Sequence, residues 1–188
     1  MIAVHHFKPP GWSYNPSDWS QRIPIVVIAL VGFGIATYLA LYQLEVFSTV
    51  WEPFFGNGSE TILNSSISHL LPIPDAALGA IGYLLDAVTG IIGGRQRWKR
   101  MPWIVVVFGV AVGPLGIVSV MLVVFQPVLF SAWCSLCLAS AIISVVMIGP
   151  AMDEVLASLQ FLKKAQKQPD ISMWKVFCGN RNEIEKVK

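Results

Sequence analysis

The longest uncharged run of this chain, residues 101–152, reads MPWIVVVFGVAVGPLGIVSVMLVVFQPVLFSAWCSLCLASAIISVVMIGPAM. A membrane-spanning helix needs about 20 apolar residues, so the run is long enough for two spans. Gln126 and Pro127 interrupt it near its middle, and proline favours a break in a helix. The run therefore predicts spanning helices at residues 102–125 and 132–151, joined by a hairpin loop.

The rest of the chain is also unusually apolar. Hydrophobic residues make up 55% of the 188 residues and charged residues only 13%, whereas about 25% of the residues of a soluble domain are charged. Residues 23–44 contain no charged side chain, and residues 76–94 contain only Asp86. We therefore predict an all-α integral membrane protein, a bundle of four transmembrane helices whose first two span residues 23–44 and 75–94.

The charge distribution predicts the orientation of this bundle. With four spans, all 13 basic residues fall on one side: Lys8, Arg22, Arg95, Arg97, Lys99, Arg100, Lys163, Lys164, Lys167, Lys175, Arg181, Lys186 and Lys188. The other side carries acidic residues and no Lys or Arg. By the positive-inside rule, we expect both termini on the cytoplasmic side of a cell inner membrane. Because the basic residues serve as topology signals, we do not expect nucleic-acid binding.

The predicted organisation has three parts. Residues 1–22 form a cytoplasmic or interfacial segment, residues 23–151 form the membrane domain, and residues 152–188 form a charged cytoplasmic tail. Membrane lipids are the expected surroundings of the bundle. The pair His5 and His6 is interpreted as incidental rather than as a metal site.

Asp86 is the carboxylate within a predicted span. An ionisable residue there is costly and usually faces the bundle interior or water, which makes it a candidate functional group. Asp86 lies within about two and a half turns of the cytoplasmic end, so its side chain can also extend toward the inner interface. We favour this second interpretation.

Cys134 and Cys137 form a Cys-x-x-Cys motif at the outer end of the fourth predicted helix. Cysteines three apart on a helix share one face and lie within reach of a disulfide. A helix beginning near Ser131 would place Cys134 in its first turn, where the helix dipole favours a thiolate. The motif predicts a redox-active dithiol facing an oxidising compartment, and the alternative is two small core residues. We predict no metal site, because only His69 accompanies the thiols on that face.

The outer loop, residues 45–74, contains a predicted short amphipathic helix. Asn57 and Glu60 have the spacing of a helix start, and Pro72 ends the pattern. One apolar stripe is formed by Ile62, Leu63, Ile67 and Leu70. We expect this helix to lie over the outer end of the bundle and to shield the dithiol from water.

Together these features resemble the vitamin K epoxide reductase family. The resemblance rests on the four spans, the loop helix, the Cys-x-x-Cys motif, Ser65 with Ile73-Pro74 after it, and the run Leu78-Gly79-Ala80-Ile81-Gly82-Tyr83. It implies a four-helix bundle around a quinone of the menaquinone or ubiquinone type. It also implies that Cys134 and Cys137 are catalytic, that Cys137, Trp133 and Ser65 contact the quinone, and that Cys134 exchanges with an outside thioredoxin-like protein.

The chain departs from the family pattern in its outer loop. Typical members have a second cysteine pair there, but this chain has no cysteine before Cys134, and Ser59 stands about where one is expected. Serine cannot undertake thiol-disulfide exchange. The sequence therefore predicts an oxidoreductase that couples Cys134 and Cys137 directly to a quinone. The alternative is a non-catalytic integral subunit that binds quinone or lipid, or scaffolds a larger complex with other membrane subunits.

Overall fold

The computed structural model describes residues 8–66, 68 and 72–187, and this part of the chain is helical, without β-strands. The helices are α1 (Trp19–Gln43), α2 (Gly58–Leu63), α3 (Asp75–Ile91), α4 (Arg97–Arg100), α5 (Pro102–Phe130), α6 (Ser135–Gln166), α7 (Met173–Phe177) and α8 (Arg181–Lys186). Three of them, α1, α5 and α6, are long and apolar enough to cross a membrane. The chain is therefore an all-helical integral membrane protein.

Small residues allow the long helices to approach one another. A Cβ atom on Gly32 of α1 would lie 2.6 Å from the Tyr83 ring of α3, and one on Gly109 of α5 would lie 2.3 Å from Val155 of α6. Such close approach is how helices associate in lipid, where apolar area alone gives no drive to associate. The 17-residue helix α3 packs along α1, and α5 packs along α6.

The predicted turn between two long helices is present, but its predicted position at Gln126-Pro127 is wrong. Helix α5 continues through both residues to Phe130, and the chain turns at Ser131, whose φ of 48° is left-handed. A proline within a membrane helix is tolerated when neighbouring groups satisfy the backbone it disturbs. The buried Gln126 side chain accepts a hydrogen bond from the backbone N–H of Cys134 at 3.1 Å, which joins the end of α5 to the residue before α6.

The predicted ends of the last helix are also wrong. Helix α6 begins at Ser135 instead of residue 132, and it continues through Pro150 to Gln166 instead of ending at residue 151. The reason is tertiary packing. The part of α6 that follows the apolar run contributes Ala157, Phe161 and Ala165 to a second apolar core. That core also contains Val176 of α7 and Ile184 of α8, so the predicted charged tail is folded against the bundle.

Buried charges join the helices at the end of the bundle that holds this second core, hereafter the basic end. Arg97 forms a buried ion pair with Glu154, with 2.6 Å between Arg97 Nε and Glu154 Oε1. Ser17 also donates a hydrogen bond to Glu154. Arg22 donates to the carbonyl oxygens of Gly90 and Gly93 at 2.9 and 2.7 Å, where the backbone groups of α3 end.

The N-terminal segment belongs to the same basic end. The Trp12 indole N–H donates to Gln160 Oε1 at 2.8 Å, and the Tyr14 hydroxyl donates to Asp153. That hydrogen bond, together with burial, raises the pKa of Tyr14 to about 12. His5 and His6 lie outside the described residues.

Asp86 does not extend to the interface as expected. Its side chain is 0% exposed, and neither carboxylate oxygen has a hydrogen-bond partner among the described residues. The prediction that the Asp86 side chain extends toward the inner interface is therefore wrong.

Candidate functional site

Cys134 and Cys137 occupy the junction between α5 and α6. They are joined by a disulfide, with Cα atoms 5.2 Å apart, and Cys134 is 0% exposed. Cys134 is the N-cap of α6, one position before the first turn in which it was expected. Its Sγ accepts the backbone N–H of Cys137 at 3.1 Å, so the sulfur sits at the positive end of the helix dipole.

A cavity of about 60 Å³ lies directly beside Cys137. Its lining consists of Ile62, Leu63, Ser65, Ser68, Asp75, Leu122, Phe125, Gln126, Phe130 and Cys137. Aliphatic and aromatic walls with a few polar groups are typical of a small-molecule site, although such sites usually measure about 300–1,000 Å³. The structure thus brings Ser65 and Cys137 to one cavity.

The polar groups of the cavity come from three different segments. The hydroxyls of Ser65 and Ser68 are 3.4 Å apart, and Ser68 also donates to the Ile62 carbonyl at 2.8 Å. Asp75, the first residue of α3, accepts a hydrogen bond from Gln43 Nε2 at 2.6 Å. The serine hydroxyls and the Gln126 amide can donate to the carbonyl oxygens of a quinone head group, and the apolar walls suit its ring, whereas the Asp75 carboxylate can only accept. The residues fit that cofactor in chemistry, but a ring also requires the cavity to widen.

Trp133 lies elsewhere. It is 37% exposed, is not among the residues that line the cavity, and faces Phe55 with ring centroids 6.3 Å apart. The described structure therefore separates Trp133 from the Ser65 and Cys137 side of the junction.

Helix α2 covers the junction, and we call residues 58–63 the cover. A Cβ atom on Gly58 would lie 2.0 Å from the Trp133 carbonyl oxygen, so only glycine permits this contact. Ile62 and Leu63 are buried and line the cavity, as half of the predicted apolar stripe. The other half, Ile67 and Leu70, lies outside the described residues, as does His69.

Sequence reasoning missed Glu52 as part of this site. Its carboxylate accepts the backbone N–H of Ser135 at 2.9 Å, together with the hydroxyls of Ser135 and Ser59. Burial alone raises the pKa of Glu52. The hydrogen bonds from Ser135, Ser59 and the backbone of Phe54 lower the pKa by more than burial raises it, so that it falls to about 2. No sequence signal separates Glu52 from the other acidic residues of the loop, because its key partner is 83 positions away.

Comparison with known proteins gives one family. The model of the vitamin K epoxide reductase family matches residues 23–151, which is more than half of the chain. No curated protein matches the sequence. The match covers α1 from residue 23 onward, α2, α3, α4, α5 and the first half of α6, and so includes the whole junction.

Proposed function

The chain belongs to the vitamin K epoxide reductase family, and from this premise we propose that it is a membrane thiol-disulfide oxidoreductase coupled to a quinone. Cys134 and Cys137 are its redox centre. The observation that carries the proposal is the cavity beside Cys137, which is lined by hydroxyl, amide and carboxylate groups and by apolar walls. A dithiol next to a site of that chemistry can pass electrons to a quinone without contact with water.

The proposed reaction is a two-electron exchange. Formation of the bond between the sulfurs of Cys134 and Cys137 releases two electrons and two protons, and a quinone of the menaquinone or ubiquinone type would accept both pairs. Cys137, Ser65, Ser68 and Gln126 would hold the head group, while the aromatic and aliphatic walls exclude water. Trp133 would contact the quinone only if the quinone enters from the side of the junction on which Trp133 lies.

Regeneration of the dithiol requires an outside reductant. Cys134 is the exchanging thiol in this proposal, but its side chain is fully buried, and Gly58 of the cover lies against the backbone of the neighbouring Trp133. Because no loop cysteine exists to relay electrons, a thioredoxin-like protein must reach Cys134 directly. The cover must therefore move for each exchange, and the same movement would widen the cavity beside Cys137.

The proposed topology has four spans. Helix α3 is 17 residues long and packs against the candidate spans α1 and α5, which supports its assignment as the remaining span. The clustering of Arg22, Arg97 and the C-terminal helices at the basic end supports a cytoplasmic location for that end, with the junction on the outer face of a cell inner membrane. Lipids would then surround the exposed apolar faces of the bundle.

A second candidate function is a non-catalytic subunit. The observation that favours it is the small volume of the cavity, about 60 Å³, together with the complete burial of Cys134. In that case the disulfide would stabilise the junction, and the apolar faces would bind lipid, quinone or other membrane subunits.

The thiol state of the protein in membranes distinguishes the two functions. Cells that express the chain are depleted of quinone, quenched with acid and treated with an alkylating mass label. The proposal predicts that Cys134 and Cys137 accumulate as thiols after depletion and return to a disulfide when quinone is restored. Cys137→Ser should trap a mixed disulfide between Cys134 and an outside protein, whereas Cys134→Ser should not. A disulfide that is unaffected by quinone depletion would support the non-catalytic subunit.

A further inference from the structure

Glu52 does more in this site than attach the outer loop to the start of α6. We propose that its carboxylate is a positioning and tuning group that lowers the reduction potential of the Cys134–Cys137 pair, so that the disulfide is favoured and the dithiol is a stronger reductant. The inference deepens the proposed function and rests on it for the reaction in which this potential matters. In this proposal, one residue of the outer loop sets the reduction potential of the redox centre.

The geometry fixes Glu52 at the start of α6. One oxygen accepts the Ser135 backbone N–H at 2.9 Å and the Ser59 hydroxyl, and the other accepts the Ser135 hydroxyl. The backbone N–H groups of Phe54 and Phe55 donate to the same carboxylate at 3.2 and 3.3 Å. Five donors hold the side chain in one orientation, next to the residue that follows Cys134.

Glu52 and the sulfur of Cys134 share one helix terminus. The Ser135 N–H points to Glu52, while the Cys137 N–H points to Cys134 Sγ at 3.1 Å. A helix N-terminus stabilises a thiolate, which lowers the pKa of a cysteine there. A fixed carboxylate in the same turn opposes that effect, because like charges disfavour the ionised form.

The carboxylate is ionised under physiological conditions, since its pKa lies at about 2. The other loop carboxylate nearby, Glu60, accepts the Val50 N–H at 3.4 Å, and it belongs to the cover. No Lys or Arg lies between residues 23 and 94 to offset these charges. The field at the sulfur therefore includes the negative charge of Glu52, which accepts hydrogen bonds but forms no ion pair with a Lys or Arg of residues 23–94.

The redox consequence follows from the stability of the reduced form. Reduction of the disulfide adds two electrons and two protons and yields two thiols, one of which ionises according to its pKa. A site that stabilises the thiolate makes a disulfide oxidising, and a site that destabilises it has the reverse effect. Glu52 thus shifts the equilibrium toward the disulfide, which favours electron transfer from the dithiol to an acceptor.

The test measures the equilibrium between the full-length protein in detergent and a glutathione redox buffer, by alkylation and mass spectrometry. In Glu52→Gln, the side-chain length is kept and the charge is removed. We expect the equilibrium constant to shift about tenfold toward the dithiol, which corresponds to about 30 mV for this two-electron couple. The pKa of the Cys134 thiol, taken from the pH dependence of alkylation, should fall in the same variant.

Three further variants separate charge from structure. Glu52→Asp keeps the charge and should restore most of the wild-type potential, while Ser59→Ala removes one hydrogen bond and should leave the potential unchanged. Phe54→Lys retains the native Glu52 and places a cation at a side chain that is 80% exposed, so it should shift the equilibrium in the Glu52→Gln direction. Equal potentials for wild type and Glu52→Gln, or an equal shift in Ser59→Ala, would overturn the inference.

The measurement is also independent of the quinone. If the glutathione equilibrium responds to Glu52 but quinone never oxidises the dithiol, the tuning role stands and the proposed function fails. If quinone oxidises the dithiol and the equilibrium ignores Glu52, the proposed function stands and the tuning role fails.

Discussion

The two ends of the bundle are held together by different interactions. At the basic end, Arg97 and Glu154 are 0% and 2% exposed, and a second apolar core of α6, α7 and α8 packs around them. At the other end, the loop is attached to α6 through Glu52, and residues of the cover, α5 and α6 line a partly open cavity of about 60 Å³. The basic end is joined by a buried ion pair beside an apolar core and a pocket of about 310 Å³. The other end is joined by hydrogen bonds to Glu52, beside a disulfide and a smaller cavity.

This difference suggests a division of labour. A buried ion pair within a packed core is costly to break, so the basic end sets the arrangement of the helices. Hydrogen bonds at a partly exposed carboxylate contribute less and can be exchanged for water. The end that carries the chemistry is therefore the end that can open, and changes at each end should have separable effects.

The largest effect is expected from breaking the ion pair at the basic end. Glu154→Gln leaves the Arg97 guanidinium buried without its counter-charge, which should cost about 3–5 kcal/mol of unfolding free energy. Chemical denaturation of the protein in detergent measures the loss. Lys186→Gln, which removes the 56% exposed cation of the Lys186–Glu183 pair, is the control and should leave stability nearly unchanged. An equal loss in both variants would contradict the role assigned to burial.

A smaller effect is expected from lifting the cover. Gly58→Ala places a methyl group against the Trp133 carbonyl, and overpacking of this kind costs about 1–3 kcal/mol. If that strain displaces the cover, alkylation of Cys134 in the reduced protein should accelerate by about tenfold, since about 1.4 kcal/mol is a factor of ten. Gly113→Ala is the control, because its Cβ would meet no atom within 4 Å. Unchanged alkylation in Gly58→Ala would mean that the cover does not guard Cys134.

The smallest effect is expected from acid. The pKa of Glu52 falls from its ordinary value of 4.5 to about 2, so its contribution to stability is fully present above pH 4.5 and is lost as the pH falls toward 2. The apparent melting temperature of wild type should decline across this range more steeply than that of Glu52→Gln. Parallel declines for the two proteins would show that the carboxylate does not fasten the loop.

The sequence predicted the parts of the fold that depend on composition. The uncharged runs located α1, α5 and the first half of α6, and the Cys-x-x-Cys motif with Ser65 located two residues that border one cavity. Hydropathy measures how much apolar sequence is available to form a helix, and a helix that spans a membrane must be apolar along its length.

Features set by tertiary contacts were not predictable in this way. Pro127 was expected to end a helix, yet the helix continues, and Gln126 bonds to a residue beyond the turn. Glu52 and Ser135 are 83 positions apart, so their contact leaves no local pattern. Asp86 was predicted to extend toward the inner interface, but its side chain is fully buried, and burial depends on tertiary packing that the local sequence does not show.

The most direct test of the central claim is a single-turnover measurement. Full-length protein is reduced, freed of reductant and mixed with one equivalent of a soluble quinone, while quinone absorbance and the Cys134–Cys137 disulfide are followed together. The account predicts one quinone reduced per disulfide formed, the same stoichiometry in Cys178→Ser, and no reaction in Cys137→Ser. A dithiol that stays reduced with quinone present, or quinone reduction without disulfide formation, would contradict it.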